Sequence, residues 1–204
     1  MSIQLSKRFR GFYPVVIDLE TAGFDPKKNP ILELAAVFLK IDAEGLLYID
    51  ERIHFHLNAF EGSILDPDSL EFTGIRPDNP FRFAIDEKEA LDTLFKTIHQ
   101  KIKATGCERA VMVAHNATFD QSFLKAATQR CKLKTDPFHR FTSFDTASLS
   151  ALAFGQTVLA KAVKAAGIAY DKNSAHSAKY DAEITAELFC KIVNKWHQLG
   201  GMKT

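Results

Sequence analysis

Val15-Val16-Ile17-Asp18-Leu19-Glu20-Thr21 is a short apolar run that ends in two carboxylates. A run of this length bounded by turn residues predicts a buried strand. Side chains alternate along a strand, so Asp18 and Glu20 share a face. Two acids on one buried face repel each other and resist ionisation. A divalent cation with oxygen ligands relieves both problems. A strand that simply ends in two solvated acids is the alternative, and the rest of the chain decides between them.

The chain has 204 residues, 46% of them hydrophobic, which predicts one domain with a sizeable core. No apolar run reaches membrane-spanning length. Met1 to Arg10 is polar and basic and lacks an apolar signal-peptide core, which predicts a protein that stays in the cytoplasm. Cys107, Cys131 and Cys190 are odd in number and widely spaced, which fits a reducing compartment. The net charge of +1 leaves nucleic-acid affinity to local patches. Phe supplies 17 of the aromatic residues, enough for roles outside the core.

Downstream of Glu20, the Gly and Pro of Thr21 to Pro26 predict a loop, with Phe24 beside the acids. Ile31 to Lys40 is mostly apolar and reads equally as helix or buried strand. Leu47 to Leu57 alternates and reads as a strand. Its apolar face carries Ile49, Ile53, Phe55 and Leu57, and its other face carries His54 and His56. Asp66 to Gly74 reads as a short helix. Asp66 caps it, Pro67 opens it and Gly74 stops it, which puts Asp68 and Phe72 on one face. Helical periodicity runs from Asp86 to Lys103. Ala110 to Ala114 reads as a strand leading into His115-Asn116-Ala117-Thr118-Phe119-Asp120. A helix to about Arg130 follows, with Thr118 as its expected cap. For Asp120 alone, a place in the first turn is sufficient explanation. Phe141 to Thr146 predicts a strand, with Asp145 capping the next helix. Another helix spans Thr157 to Ala166, and the segment Ser174 to Glu183 leads into a last one reaching Trp196.

Acids thus come from three separate segments: Asp18 and Glu20, Asp120, and Asp181. His176 lies five residues before Asp181. Four carboxylates can hold two divalent ions about 3.5–4 Å apart, which clamp both oxygens of a phosphoryl displacement. A neutral histidine can take the proton of the attacking water.

Asp18-x-Glu20, His115 to Asp120 and His176-x-x-x-x-Asp181 resemble, in order and separation, the three motifs of the DEDDh 3′→5′ exonucleases. The sister group has Tyr where this chain has Ser177. Arg8 to Asp18, Met112 to Ala117, Phe144 to Ala147 and Leu188 to Asn194 resemble an RNA-end-trimming branch of that superfamily, and the resemblance runs from about Arg8 to Gly201. It implies a single exonuclease domain over residues 1–204. The implied fold is RNase H-like α/β, a mixed five-stranded sheet flanked by helices, with Ile31 to Lys40 as the antiparallel strand. It also implies Mg²⁺-dependent trimming of 3′ ends of tRNA and other stable RNA by a homodimer, with activity on single-stranded DNA. Mn²⁺ is a possible substitute for the two Mg²⁺ of each subunit.

By the same resemblance, Phe24, Phe72, Phe119 and Phe141 match residues that stack on the last bases. Asp68 stands where the branch has Glu, a residue that takes part in disfavouring 3′ cytosine. Arg8, Arg10, Lys103, Arg109 and Lys134 match an RNA-gripping basic patch. In this sequence they precede strands, or follow a helix, whose far ends carry the acids. A strand of about five residues holds such ends roughly 17 Å apart. A patch so placed serves the other protomer of a two-fold dimer. The rival readings are a proofreading-type DNA exonuclease of the same superfamily and an inert nucleic-acid-binding module. A Ser174/His176/Asp181 triad lacks the glycines of a nucleophile elbow.

Overall fold

The computed structural model describes residues 4–201, so the first three residues of the basic arm and residues 202–204 lie outside it. Strand β1 (Phe12–Thr21) is buried from Tyr13 to Ile17 and forms the middle of a five-stranded sheet of order β3-β2-β1-β4-β5. Strand β2 (Ile31–Ile41) runs antiparallel to it. The helix-or-strand ambiguity over this segment is therefore resolved as strand. Its burial is continuous from Ile31 to Leu39, so no alternation was available to read.

Strand β3 (Leu47–His56) pairs with β2 as a hairpin. Asp42 turns the corner by accepting the N–H groups of Glu44 and Leu46. Strands β4 (Arg109–Ala114) and β5 (Phe138–Asp145) extend the other side in parallel. Parallel neighbours need crossover connections, and helices supply them.

A short helix α1 (Leu5–Arg8), absent from the sequence reading, precedes β1 and sends Leu5 into the core. Helix α2 (Pro67–Thr73) has the expected punctuation: Asp66 accepts the Ser69 N–H, and Gly74 closes the helix at φ 68°. Helix α3 (Glu87–Thr105) buries Ala90, Leu91, Leu94, Phe95 and Ile98 along one stripe. Helices α4 (Thr118–Arg130), α5 (Thr146–Phe154) and α6 (Leu159–Ala165) follow. Helix α7 (Ala178–Gln198) lies across β1, β2 and β3. Burying each large apolar side chain in such a core is worth roughly 1.5–3 kcal/mol. Among the described residues no helix is long and apolar enough to cross a membrane, and the three cysteines are free.

Candidate active site

Strand β1 delivers the first two acids. Its register sets Asp18 opposite Ala35 and Glu20 opposite Glu33. Asp181 enters from the first turn of α7. Ligand oxygens of Asp18, Glu20 and Asp181 all lie within 4.8 Å of one another. Asp120 enters from the first turn of α4, where its Oδ1 accepts the Leu19 N–H at 3.1 Å. It lies outside that tight trio, yet its charge is the largest charge effect on Asp18.

The loop carrying Asp120 is fixed from a distance. Asp145 caps α5 through the Ala147 N–H at 2.8 Å, as the sequence predicts. Its two oxygens also accept the N–H groups of Asn116 and Ala117 at 3.1 and 3.2 Å. Thr118 is therefore not the cap of α4: it is the first helical residue, and no side chain of its own segment caps the helix. His115 anchors the same loop, with Nδ1 3.0 Å from the Thr146 hydroxyl and Nε2 2.8 Å from the Thr157 carbonyl.

His176 is exposed and sits at φ 65°, a left-handed conformation in which His is more common than bulkier residues. Its backbone N–H donates to Asp181 Oδ2 at 2.9 Å, and its ring lies 4.3 Å from that of Phe72. The backbone thus couples the histidine to an acid while α2 steadies its ring.

Burial is the main force on the acids. It raises the Asp18 carboxyl well above the usual range, helped by the charges of Asp120 and Glu20. Burial, then the charges of Asp181 and Glu33, push Glu20 up to about 8. Asp120 also rises to about 8, chiefly through burial. Asp181 is raised by burial despite the His176 N–H, and its buried Oδ1 has no hydrogen-bond partner. A site that penalises its own negative charge and holds an unsatisfied oxygen suits a hard cation. The all-oxygen donor set selects ions of the Mg²⁺ or Mn²⁺ kind.

This arrangement makes stability depend on pH. These carboxyls titrate in the folded state above their ordinary values of 3.8 and 4.5, so the metal-free folded chain binds more protons than the unfolded chain in between. The contribution is fully present below about pH 4 and is lost as pH rises towards 8. In chelator, Asp18→Asn should raise Tm at pH 8 and leave it unchanged at pH 4. Added Mg²⁺ should raise the Tm of the unsubstituted chain at pH 8. Thermal melts at both pH values check this; equal Tm for the two chains at pH 8 would contradict it.

Phe24, Phe72 and Phe119 gather with Asp68 around a cavity of about 420 Å³ that reaches Glu20. Phe24 and Phe72 are 82% and 67% exposed, so neither belongs to the core. Phe119 is partly buried and packs on Phe123, with its ring 6.3 Å from that of Phe24. Phe141 is 85% exposed on β5 and does not line this cavity.

Of the basic residues, Arg10, Arg109 and Lys134 line one cavity of about 860 Å³ at the N-terminal end of β1, together with Glu108 and Asp136. Lys103 lines a neighbouring depression. The expected surface patch needs one correction. Arg8 is 5% exposed, and its Nη1 donates to His197 Nδ1 of α7 at 2.7 Å. The α1 turn, unread in the sequence, points this side chain inward while leaving Lys7 and Arg10 outside. Phe12 to Glu20 spans about 26 Å of strand, so patch and acids lie further apart than the sequence predicts.

Two residues near the acids were missed. Glu33 faces Glu20 and Asp18 electrostatically, and its signal was a lone acid inside an apolar run. Asp145 was read only as a cap.

The RNase_T exonuclease family model matches residues 15–189. Ribonuclease T of Cronobacter sakazakii is 60% identical over 197 residues, 97% of this chain and 88% of that protein. Ribonuclease T of Vibrio parahaemolyticus is 57% identical over 201 residues, 98% of this chain and 94% of that one. Among solved structures, the nuclease domain of 3′hExo, a DEDDh family member bound to rAMP, aligns with TM-score 0.65 at 19% identity, covering 92% of both chains. E. coli exonuclease I with a dT13 oligonucleotide aligns with TM-score 0.70 at 18% identity, covering 93% of this chain and 43% of that one. The RNase H-like sheet and these matches define a 3′→5′ exoribonuclease of the DEDDh class, an enzyme that uses divalent metal. Within that class, the chain belongs to the RNase T exonuclease family.

Proposed function

We propose that this protein is a single cytoplasmic exonuclease domain that trims unpaired 3′ ends of tRNA and other stable RNA precursors. It releases nucleoside 5′-monophosphates and also accepts single-stranded DNA 3′ ends. One observation carries the reading: acids from three segments converge, and Glu20 among them borders a cavity edged by Phe24 and Phe72, which the core does not use, and by the partly buried Phe119.

Asp18, Glu20, Asp120 and Asp181 would hold two Mg²⁺, with Mn²⁺ as substitute. Such ions supply positive charge to the attacking and leaving oxygens of a phosphoryl displacement. The residues do the rest. His176 accepts a proton from the attacking water on a ring nitrogen, and Phe72 limits the ring's freedom. The new bond joins water oxygen to phosphorus, the bond to the upstream 3′ oxygen breaks, and that oxygen recovers a proton from solvent. Phe24, Phe72 and Phe119 stack on the terminal bases, which must be unpaired to reach them, and Phe141 offers a further ring upstream.

Stacking is worth about 1–3 kcal/mol per base. Phe24→Ala and Phe72→Ala should each weaken single-strand binding about 5–150-fold, with little change in metal affinity. Asp68 is one methylene shorter than Glu, so its reach to a terminal base is reduced. Asp68→Glu should lower the rate on RNA ending in C relative to RNA ending in A. An unchanged C/A ratio removes Asp68 from base selection.

The same proposal makes the enzyme a homodimer in which Arg10, Lys103, Arg109 and Lys134 grip RNA for the partner's acids. Arg10→Ala with Arg109→Ala should raise KM and reduce the salt slope by about 1.4, or 0.7 per lost phosphate contact on a single strand. Mixing this variant with Asp18→Asn should restore activity in the mixed dimer, because one protomer keeps its patch and the other its acids. No recovery after verified subunit exchange would refute cooperation across the dimer.

A further inference from the structure

A second set of ligand atoms converges on the β2–β3 hairpin. His54 and His56 stand two apart on β3, so both rings leave the same face. Glu33 is the register partner of His56 on β2. His54 Nε2 lies 3.4 Å from Glu33 Oε2, and His56 Nδ1 lies 3.2 Å from Oε1. One donor atom from each of the three residues lies within 4.8 Å of the others.

Hydrogen bonding explains this cluster only in part. The His54 contact is long, and the buried His56 Nδ1 has no well-directed hydrogen bond although a carboxylate oxygen is near. The two rings meet edge to face, with centroids 4.7 Å apart. A tetrahedral ion with bonds of about 2.0–2.2 Å holds its ligand atoms about 3.3–3.6 Å apart. Both nitrogens lie near that edge length from the Glu33 carboxylate, His54 Nε2 from Oε2 and His56 Nδ1 from Oε1, so a turn of the carboxylate would set one oxygen against both. The Ala178 N–H donates to Glu33 Oε2 at 3.2 Å, the kind of outer contact that orients a metal-binding carboxylate. Glu33 and His56 also line an open cavity of about 680 Å³, so a fourth position is accessible to water.

We propose that Glu33, His54 and His56 form a second metal site that takes Zn²⁺ or a comparable first-row transition ion in preference to Mg²⁺. Two imidazoles and a carboxylate favour such ions, whereas the all-oxygen acid cluster favours Mg²⁺. A bound ion takes each imidazole in the tautomer whose contacting nitrogen, Nε2 of His54 and Nδ1 of His56, carries no proton. The ion ties edge strand β3 to β2. Through the Ala178 contact it also braces the start of α7, which presents Asp181. It further offsets a carboxylate charge that bears on Glu20 and Asp18.

The test uses the full chain with Asp18→Asn and Asp181→Asn, which cripple the acid cluster, in excess Mg²⁺. Zn²⁺ titration should give one site per chain, and Co²⁺ should give the intense visible bands of a tetrahedral ion. Adding His54→Ala or His56→Ala should weaken Zn²⁺ by more than the roughly 10–100-fold typical of an outer-sphere loss. Imidazole ¹⁵N spectra of the chain with its histidines intact guard against misfolded variants: His54 and His56 should shift on Zn²⁺ addition, while His99 and His139 should not. Unchanged Zn²⁺ affinity in either histidine variant overturns the proposal. So do His54 and His56 resonances that stay still at saturating Zn²⁺.

Discussion

Asp18→Asn, Glu20→Gln, Asp120→Asn and Asp181→Asn should each lower turnover by more than about 10³-fold while the chain stays folded. Losing one preorganised electrostatic donor costs enzymes about 10²–10³ in rate. Here each substitution removes a full ligand charge from a shared cage, so the loss is larger, at least about 4 kcal/mol of barrier. Folding survives because the metal-free site already disfavours its charges. Burial raises all four carboxyls, repulsion from neighbouring acids adds to the rise at Asp18, Glu20 and Asp120, and neutral amides remove that repulsion. The four need not be equal in folding. Asp120 accepts the Leu19 N–H and Asp181 accepts the His176 N–H, and an amide oxygen can keep either bond. Steady-state turnover with circular dichroism checks both halves of the statement. Two variants with near-normal Mg²⁺-dependent turnover would end the reading of a shared metal cage.

His176→Ala should lose about 10²–10⁴-fold in turnover, the usual yield of general-base catalysis, with a small change in RNA binding. A base must be neutral to accept a proton, so the rate of the unsubstituted enzyme should fall on acidification, and this limb should vanish in His176→Ala. The position is exposed and its link to Asp181 runs through the backbone N–H, which alanine keeps. Alanine also loses the ring contact with Phe72, so part of a binding change is a stacking effect. His176→Asn separates the two: it tolerates the left-handed backbone but supplies no base. Full turnover in either variant at neutral pH would remove His176 from proton transfer.

Much of the fold was legible because β1 carries its signal locally: an apolar run, then acids two apart, then a Gly-Pro loop. Helix α2 was legible for the same reason, its cap and stop being side-chain chemistry within a few residues. Strand β2 was not, since full burial erases the alternation that marks a strand. The cap of the Asp120 loop was not either, because Asp145 belongs to another strand and only the folded sheet brings it there. Arg8 misled for a third reason. Among exposed basic neighbours its charge suggested a surface, but the α1 turn and His197 bury it. Glu33 shows the limit most clearly. An acid inside an apolar run is visible in sequence, yet its partners on β3 and α7 follow from register and packing.

Metal-dependent removal of single nucleotides from an unpaired RNA 3′ end is the activity that the acids, His176 and the phenylalanines together should produce. The direct test is 5′-end-labelled single-stranded RNA incubated with the purified protein in Mg²⁺, with and without chelator, and resolved by length. The expected result is a ladder shortening one nucleotide at a time, nucleoside 5′-monophosphate as the released product, and no reaction in chelator. Internal cuts without that ladder, or shortening that persists in chelator, would contradict it.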